Sequence, residues 1–159
     1  MTLLEYLRMR IPDKDTDNKI FEDTELNQII KLHSKVRLIY PEQTDYEGKV
    51  FNLDTVMLDE AYTARVWVDN QELTTGWTLD YETGVLTFDE AQEDKTILVQ
   101  VKAVDWNSVL ADCYEMIMGD YRKLNSYSIQ NANLSYDDTK KHLRYLANYY
   151  RPPEGWELL

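Results

Sequence analysis

The sequence predicts an α+β protein: a small helical bundle, two helices at each end of the chain, with an antiparallel β-sheet or small sandwich inserted between them. Two observations predict it. Apolar residues recur at helical spacing before residue 34 and after residue 105, but alternate at period two between them. The charge changes at the same points: Pro41 to Val104 holds fourteen Asp and Glu against four Lys and Arg, so most of the net charge of −12 lies there. The expected organisation is a helical core of residues 1–34 and 105–151, an acidic β domain of residues 35–104, and a C-terminal segment of residues 152–159.

Leu3, Leu4 and Leu7 share one stripe, which predicts a short helix over Leu3 to Met9, ended by Pro12. Asp13 to Asn18 is polar and reads as a loop. Asp23 or Thr24 can cap the next helix through a side-chain oxygen, with Phe21 as a hydrophobic staple. Leu26, Ile29, Ile30 and Leu32 carry that helix to His33. Val36, Leu38 and Tyr40 then alternate with Lys35, Arg37 and Ile39, as in a strand. Pro41 to Gly48 reads as loop, Val50 to Leu58 as a weaker strand, and Ala64 to Val68 as a strand turning at Asp69-Asn70 into Glu72 to Thr74. Trp77 to Phe88 is the clearest hairpin, with Gly84 free to take the positive φ that closes it. Thr96 to Val104 is a long strand with Ile97, Val99 and Val101 on one side. Five or six strands are expected.

Helical spacing returns at Asn107 or Ser108, either of which can cap. Leu110, Cys113, Ile117, Tyr121 and Leu124 form one stripe, while Tyr114, Met116 and Met118 fall off it, so this helix is apolar on more than one side. Leu124 to Tyr136 reads as a polar connector. A last helix starts at Asp137-Asp138, with Leu143, Leu146, Ala147 and Tyr150 inward, and stops at Pro152-Pro153.

Catalytic chemistry is sparse. His33 and His142 lie on different expected helices without Cys or His at ligand spacing. The five glycines are scattered and form no phosphate loop. No Ser, Cys or Thr stands in a nucleophile elbow, and Cys113 reads as core packing. Asp13, Asp15 and Asp17 match the first ligands of a calcium loop. Asn18 replaces the turn glycine and Thr24 the bidentate glutamate, so the favoured reading is a solvated loop. The expectation is a protein that is not an enzyme and holds no cofactor or metal. The acidic charge disfavours phosphate binding. No basic-then-apolar leader opens the chain, and no apolar run reaches the roughly 20 residues of a membrane span, so synthesis in a cytoplasm is expected.

What remains is surface for association. Twelve Tyr, four Trp and three Phe outnumber the needs of a core this size, and aromatic residues suit buried interfaces. Tyr114, Met116 and Met118, with Tyr145 and Tyr149 of the last helix, are the expected subunit interface. The final segment leaves its helix through two prolines and ends on Trp and Leu. Pro152, Pro153, Trp156, Leu158 and Leu159 are the expected docking tail for a partner, the alternative being that Trp156 folds back on its own core.

Three stretches carry a likeness to a known family. Leu7-Arg8-Met9-Arg10-Ile11-Pro12-Asp13 runs into Phe21-Glu22-Asp23-Thr24-Glu25-Leu26. The helix from Asp112 to Leu124 is followed by Ser126-Tyr127-Ser128-Ile129. Tyr136-Asp137-Asp138 leads to Leu146-Ala147-Asn148-Tyr149-Tyr150-Arg151. Together they resemble the head–tail connector (adaptor) proteins of tailed bacteriophages, over roughly the first 34 and last 55 residues. The hairpin around Asp80 to Val85 is similar to β modules inserted in virion proteins, and the simplest adaptors lack so large an insertion. The resemblance implies a ring, commonly of twelve copies, beneath the portal protein. It implies a virion neck protein that extends the DNA channel without binding DNA specifically, docks its tail on the portal and receives the next neck, stopper or tail protein. The competing readings are a tail terminator or completion protein, and a neck decoration whose β domain binds carbohydrate or protein.

Overall fold

The structure, a computed structural model, describes residues 1–13, 17, 19–130 and 135–151. It is α+β, with five helices and two antiparallel four-stranded sheets among those residues. The chain forms two compact units, Met1–His33 with Asp105–Leu159, and Ser34–Val104.

In the helical unit, α1 (Leu3–Arg10) starts at a capping box, Thr2 accepting from the Glu5 N–H and the Glu5 carboxylate from that of Thr2. Its buried Leu7 faces the core. The entry to α2 (Asp23–Leu32) differs from expectation. Glu22 is the N-cap, and the Glu25 carboxylate reaches back to its N–H at 2.8 Å. A long acidic side chain one turn in thus secures the N–H of the cap residue, which lies one residue ahead of the expected Asp23 or Thr24. Phe21, just ahead of the cap, is buried.

α3 (Trp106–Gly119) is capped by Asp105, which accepts from the Ser108 N–H at 3.2 Å, rather than by Asn107 or Ser108. It ends sooner than its apolar stripe suggested. Asp120 leaves helical geometry and accepts from the N–H groups of Arg122 and Lys123, starting a separate helix α4 (Tyr121–Gln130). Much of the expected polar connector is therefore helical, and Leu124 and Tyr127 bury its inner face. Ser135 caps α5 (Tyr136–Tyr150) through the Asp138 N–H at 3.2 Å. α3 packs against α2, α4 and α5. Val109, Leu110, Ala111, Cys113 and Ile117 are buried along it, meeting a core that includes Leu26, Leu124 and Leu143.

The β unit is a small sandwich. One sheet has the order β1 (Ser34–Ile39), β8 (Ile97–Val104), β4 (Arg65–Val68), β5 (Gln71–Leu73). The other runs β2 (Glu42–Gln43), β3 (Val50–Asn52), β7 (Val85–Phe88), β6 (Trp77–Asp80). Alternation along β8 places Ile97, Val99, Val101 and Ala103 in a core shared with Phe51, Val66, Leu86 and Phe88. Eight strands exceed the expected five or six. The short β2 lies in a segment read as loop, while the strand expected over Val50 to Leu58 stops at Asn52. The Asn52 side chain accepts from the Asp54 N–H, and positive φ at Asp54 and Met57 bends the chain so that Leu53 and Leu58 still reach the core. Asp69 and Asn70, at φ 49 and 65, form the two-residue turn between β4 and β5. At Gly84 (φ +69) a Cβ would lie 1.9 Å from the Thr55 carbonyl oxygen, so that turn admits only glycine.

Candidate assembly surfaces

The Asp13 carboxylate is buried. It accepts from Arg8 Nη1 at 2.7 Å and from the N–H groups of Ile20 and Phe21 at 2.8 and 3.3 Å. Its lone pairs thus tie the segment after α1 to the start of α2. This corrects the solvated reading at Asp13, whose oxygens are taken up by Arg8 and two backbone N–H groups. Asp17 is exposed, and Asp15 lies outside the described residues. Among the described residues no cluster of three His, Cys, Asp or Glu is placed to hold a metal.

A second polar cluster holds the helices of this unit together. His33 Nε2 meets Asp112 at 2.5 Å, and Arg151 bonds Asp112 and Glu115, both at 2.8 Å. Burial opposes the charge on Asp112, but hydrogen bonds from His33 and Arg151 outweigh it and hold the carboxyl below its ordinary pKa. Lys123 bonds Glu25 at 2.9 Å and the Ile20 carbonyl at 3.0 Å. No sequence signal marked these pairings, because the partners stand far apart along the chain. His142 is exposed. Cys113 is fully buried, and burial pushes its thiol up to about 12.

The expected interface residues fall into two groups. Tyr114 is buried and stacks on Tyr150 with ring centroids 6.0 Å apart. Burial pushes its hydroxyl up to about 12. Here the expectation is corrected: α3 is packed by α2, α4 and α5, so an aromatic off the main stripe still finds cover inside its own unit. Met116 and Met118 are half-buried. Tyr145 and Tyr149 are 65% and 67% exposed, one turn apart on the outer face of α5. Tyr121 and Ile129 of α4 and Tyr136 of α5 are exposed as well. Pro152, Pro153, Trp156, Leu158 and Leu159 lie outside the described residues.

In the β unit many acids serve the backbone. Asp45 accepts from the N–H groups of Lys49 and Val50, Asp80 from those of Glu82 and Thr83, and Asp69 from that of Thr96. The Val50 N–H chiefly holds Asp45 below the ordinary Asp pKa, and the Thr83 hydroxyl, followed by the Thr83 N–H, does so for Asp80. Turn closure is thus one reason for the unit's acidity that composition alone did not reveal. Other acids, including Glu42, Glu47, Asp89, Glu90 and Glu93, are exposed. The apolar side of β1 also faces outward: Val36, Leu38 and Tyr40 are 48%, 61% and 73% exposed.

No protein-family model matches the chain, and neither does any curated protein.

Proposed function

We propose that this chain is a structural subunit of a phage neck: a head–tail connector whose copies form a ring, twelve in the simplest case, beneath the portal protein. In this reading the ring extends the DNA channel, holds the portal through the tail residues 152–159, and offers its far side to the next neck or tail protein. The observation that carries the proposal is the bare aromatic stripe on α5. Tyr145 and Tyr149 lie exposed on a helix whose opposite side, at Leu143 and Ala147, is already buried. A helix with one face in its own core and a second aromatic face in water is suited to burying the second face against another chain. The exposed acids of the β unit suit a surface past which DNA moves without adhering.

Light scattering on the full chain, alone and with a portal ring, tests this reading. The expected result is a ring-sized species or a stoichiometric portal complex, lost when Tyr145→Ser and Tyr149→Ser are combined while the melting temperature stays within a few degrees. A chain that remains monomeric under both conditions, and is absent from the neck in electron micrographs of the virion, overturns the proposal.

A further inference from the structure

The two edges of the β1-containing sheet differ in charge, and the difference points to how copies meet. At one edge, β1 exposes Lys35 and Arg37. Both stand on the core side of the sheet, opposite Ala103 and Val101 of β8, yet both remain in water. Neither is held in an ion pair or hydrogen bond among the described residues. Inward-pointing cations on an edge strand are a known guard against indiscriminate strand pairing. Beside them, on the other face, stand the exposed Val36 and Leu38.

The opposite edge, β5, has the complementary character. Next to it lies a cleft of about 410 Å³ whose walls include Val68 and Leu73, with Asp69, Asp89 and Glu90 around them and Lys95 as its one cation. Val68, Gln71 and Leu73 belong to the core-facing register of the sheet, paired through Val66 and Val68 with Val99 and Ile97. The carboxylates thus gather on the same side of the sheet at β5 as the cations do at β1.

Topology permits the two edges to meet. Each neighbouring pair in the order β1-β8-β4-β5 is antiparallel, so β1 and β5 run in opposite directions. A second copy shifted by one sheet width, without being turned over, would bring its β5 antiparallel to β1 and keep the two core sides on one level. Its Asp89 and Glu90 would then approach Lys35 and Arg37. Pairing β1 with β1 instead would set cations against cations, and β5 with β5 would set acids against acids, so both self-pairings are disfavoured.

We infer that the β1 edge, with Lys35 and Arg37, receives the acidic β5 edge, with Asp89 and Glu90, of a second copy of this chain, in a head-to-tail contact. A heterologous contact closes into a ring where the rotation from copy to copy closes, and the right-handed twist of the sheet supplies a rotation at each step. The inference rests on the ring reading above and names a surface for it.

Charge exchange tests the contact on the full chain. Sedimentation velocity at low salt compares the wild type, K35E/R37E, D89K/E90K, a mixture of these two, and the variant carrying all four changes. All four side chains are exposed, so the melting temperatures should agree within a few degrees. The wild type is expected to associate and to dissociate as salt is raised. Each double variant should associate at least tenfold more weakly. The mixture, and the fourfold variant, should recover association, since each restores opposite charges across the contact. Double variants that associate like the wild type overturn the contact but leave the ring reading standing. Loss of association without recovery in the mixture or the fourfold variant also overturns it. A wild type that stays monomeric alone and with a portal ring overturns the contact, and with it the ring reading once electron micrographs show the chain absent from the virion neck.

Discussion

The helical unit and the β unit use their charged side chains over different distances along the chain. In the helical unit Lys123 reaches Glu25 and the Ile20 carbonyl, His33 reaches Asp112, and Arg151 reaches back to Asp112 and Glu115. Acids there are matched to bases and join helices remote in sequence. In the β unit Asp45 bonds Lys49 and Val50, and Asp80 bonds Glu82 and Thr83, a few residues away. Acids there are often matched to backbone N–H groups, which carry no formal charge. The uneven net charge follows: ion pairs cancel charge where they tie helices together, while turn caps leave it uncancelled.

Damage to each core separately should leave the other unit intact. Phe88 is buried and meets Phe51 edge-to-face at 5.6 Å, so Phe88→Ala should cost about 3–5 kcal/mol through lost burial and a cavity. Leu110 is buried on α3, and Leu110→Ala should cost about 2–5 kcal/mol. Hydrogen exchange read by mass spectrometry should show Phe88→Ala loosening chiefly β3, β7 and β8, and Leu110→Ala chiefly α2, α3 and α5. Equal loosening of both units by either change would show that they unfold as one, and the comparison would fail.

The sequence revealed the fold class because that rests on local signals, the switch of period at residues 34 and 105 and the turn chemistry of Asp69-Asn70 and Gly84. It missed α4 because Ser126, Ser128 and Asn125 look like a linker, although Tyr121, Leu124 and Tyr127 sit at helical spacing and Asp120 is a cap; those residues could have found it. It overestimated the strand after Val50 because apolar residues in a kinked segment, Leu53 and Leu58, are buried as well as those in a ladder. The outward placement of Tyr145 and Tyr149 was legible since α5 has one clear inward stripe. The burial of Tyr114 was not, because being off a stripe excludes burial only when a helix has neighbours on one side, and α3 is packed on several.

Asp13 offers the next largest effect and sharpens the contrast in range. Asp13→Ala would leave Arg8 without one of its carboxylates and the N–H groups of Ile20 and Phe21 without acceptors. Removing one member of a buried charged pair costs about 3 kcal/mol. Denaturant unfolding should show that loss, with the α1–α2 segment exchanging faster and the sandwich unchanged. Asp80→Ala should produce a smaller loss confined to the β6–β7 turn. A drop for Asp80→Ala as large as that for Asp13→Ala would contradict the assignment of local and long-range roles.

The smallest effect concerns acid. The Asp112 carboxyl is held below its ordinary value by His33 and Arg151 against the opposing effect of burial. A depressed folded-state pKa contributes stability above the unfolded value, and that contribution drains away as pH falls through the lower folded value. Asp112 is partly exposed, so the contribution is about 1 kcal/mol. Asp112→Asn should therefore lower stability at pH 7. The gap to the wild type should persist down to the ordinary Asp pKa of about 3.9 and close below it, as the wild-type carboxyl takes up its proton. Denaturant midpoints at pH 7, 4 and 2.5 measure the gap, and exchange at the ends of α2 and α5 locates it. Because Asp45 and Asp80 are also held low, acid weakens the β unit too, but through its turns. Acid should thus loosen the wild-type sandwich and the Asp112→Asn sandwich alike. A gap that widens in acid, or that appears in the β strands, would mean that Asp112 does not act through its bonds to His33 and Arg151.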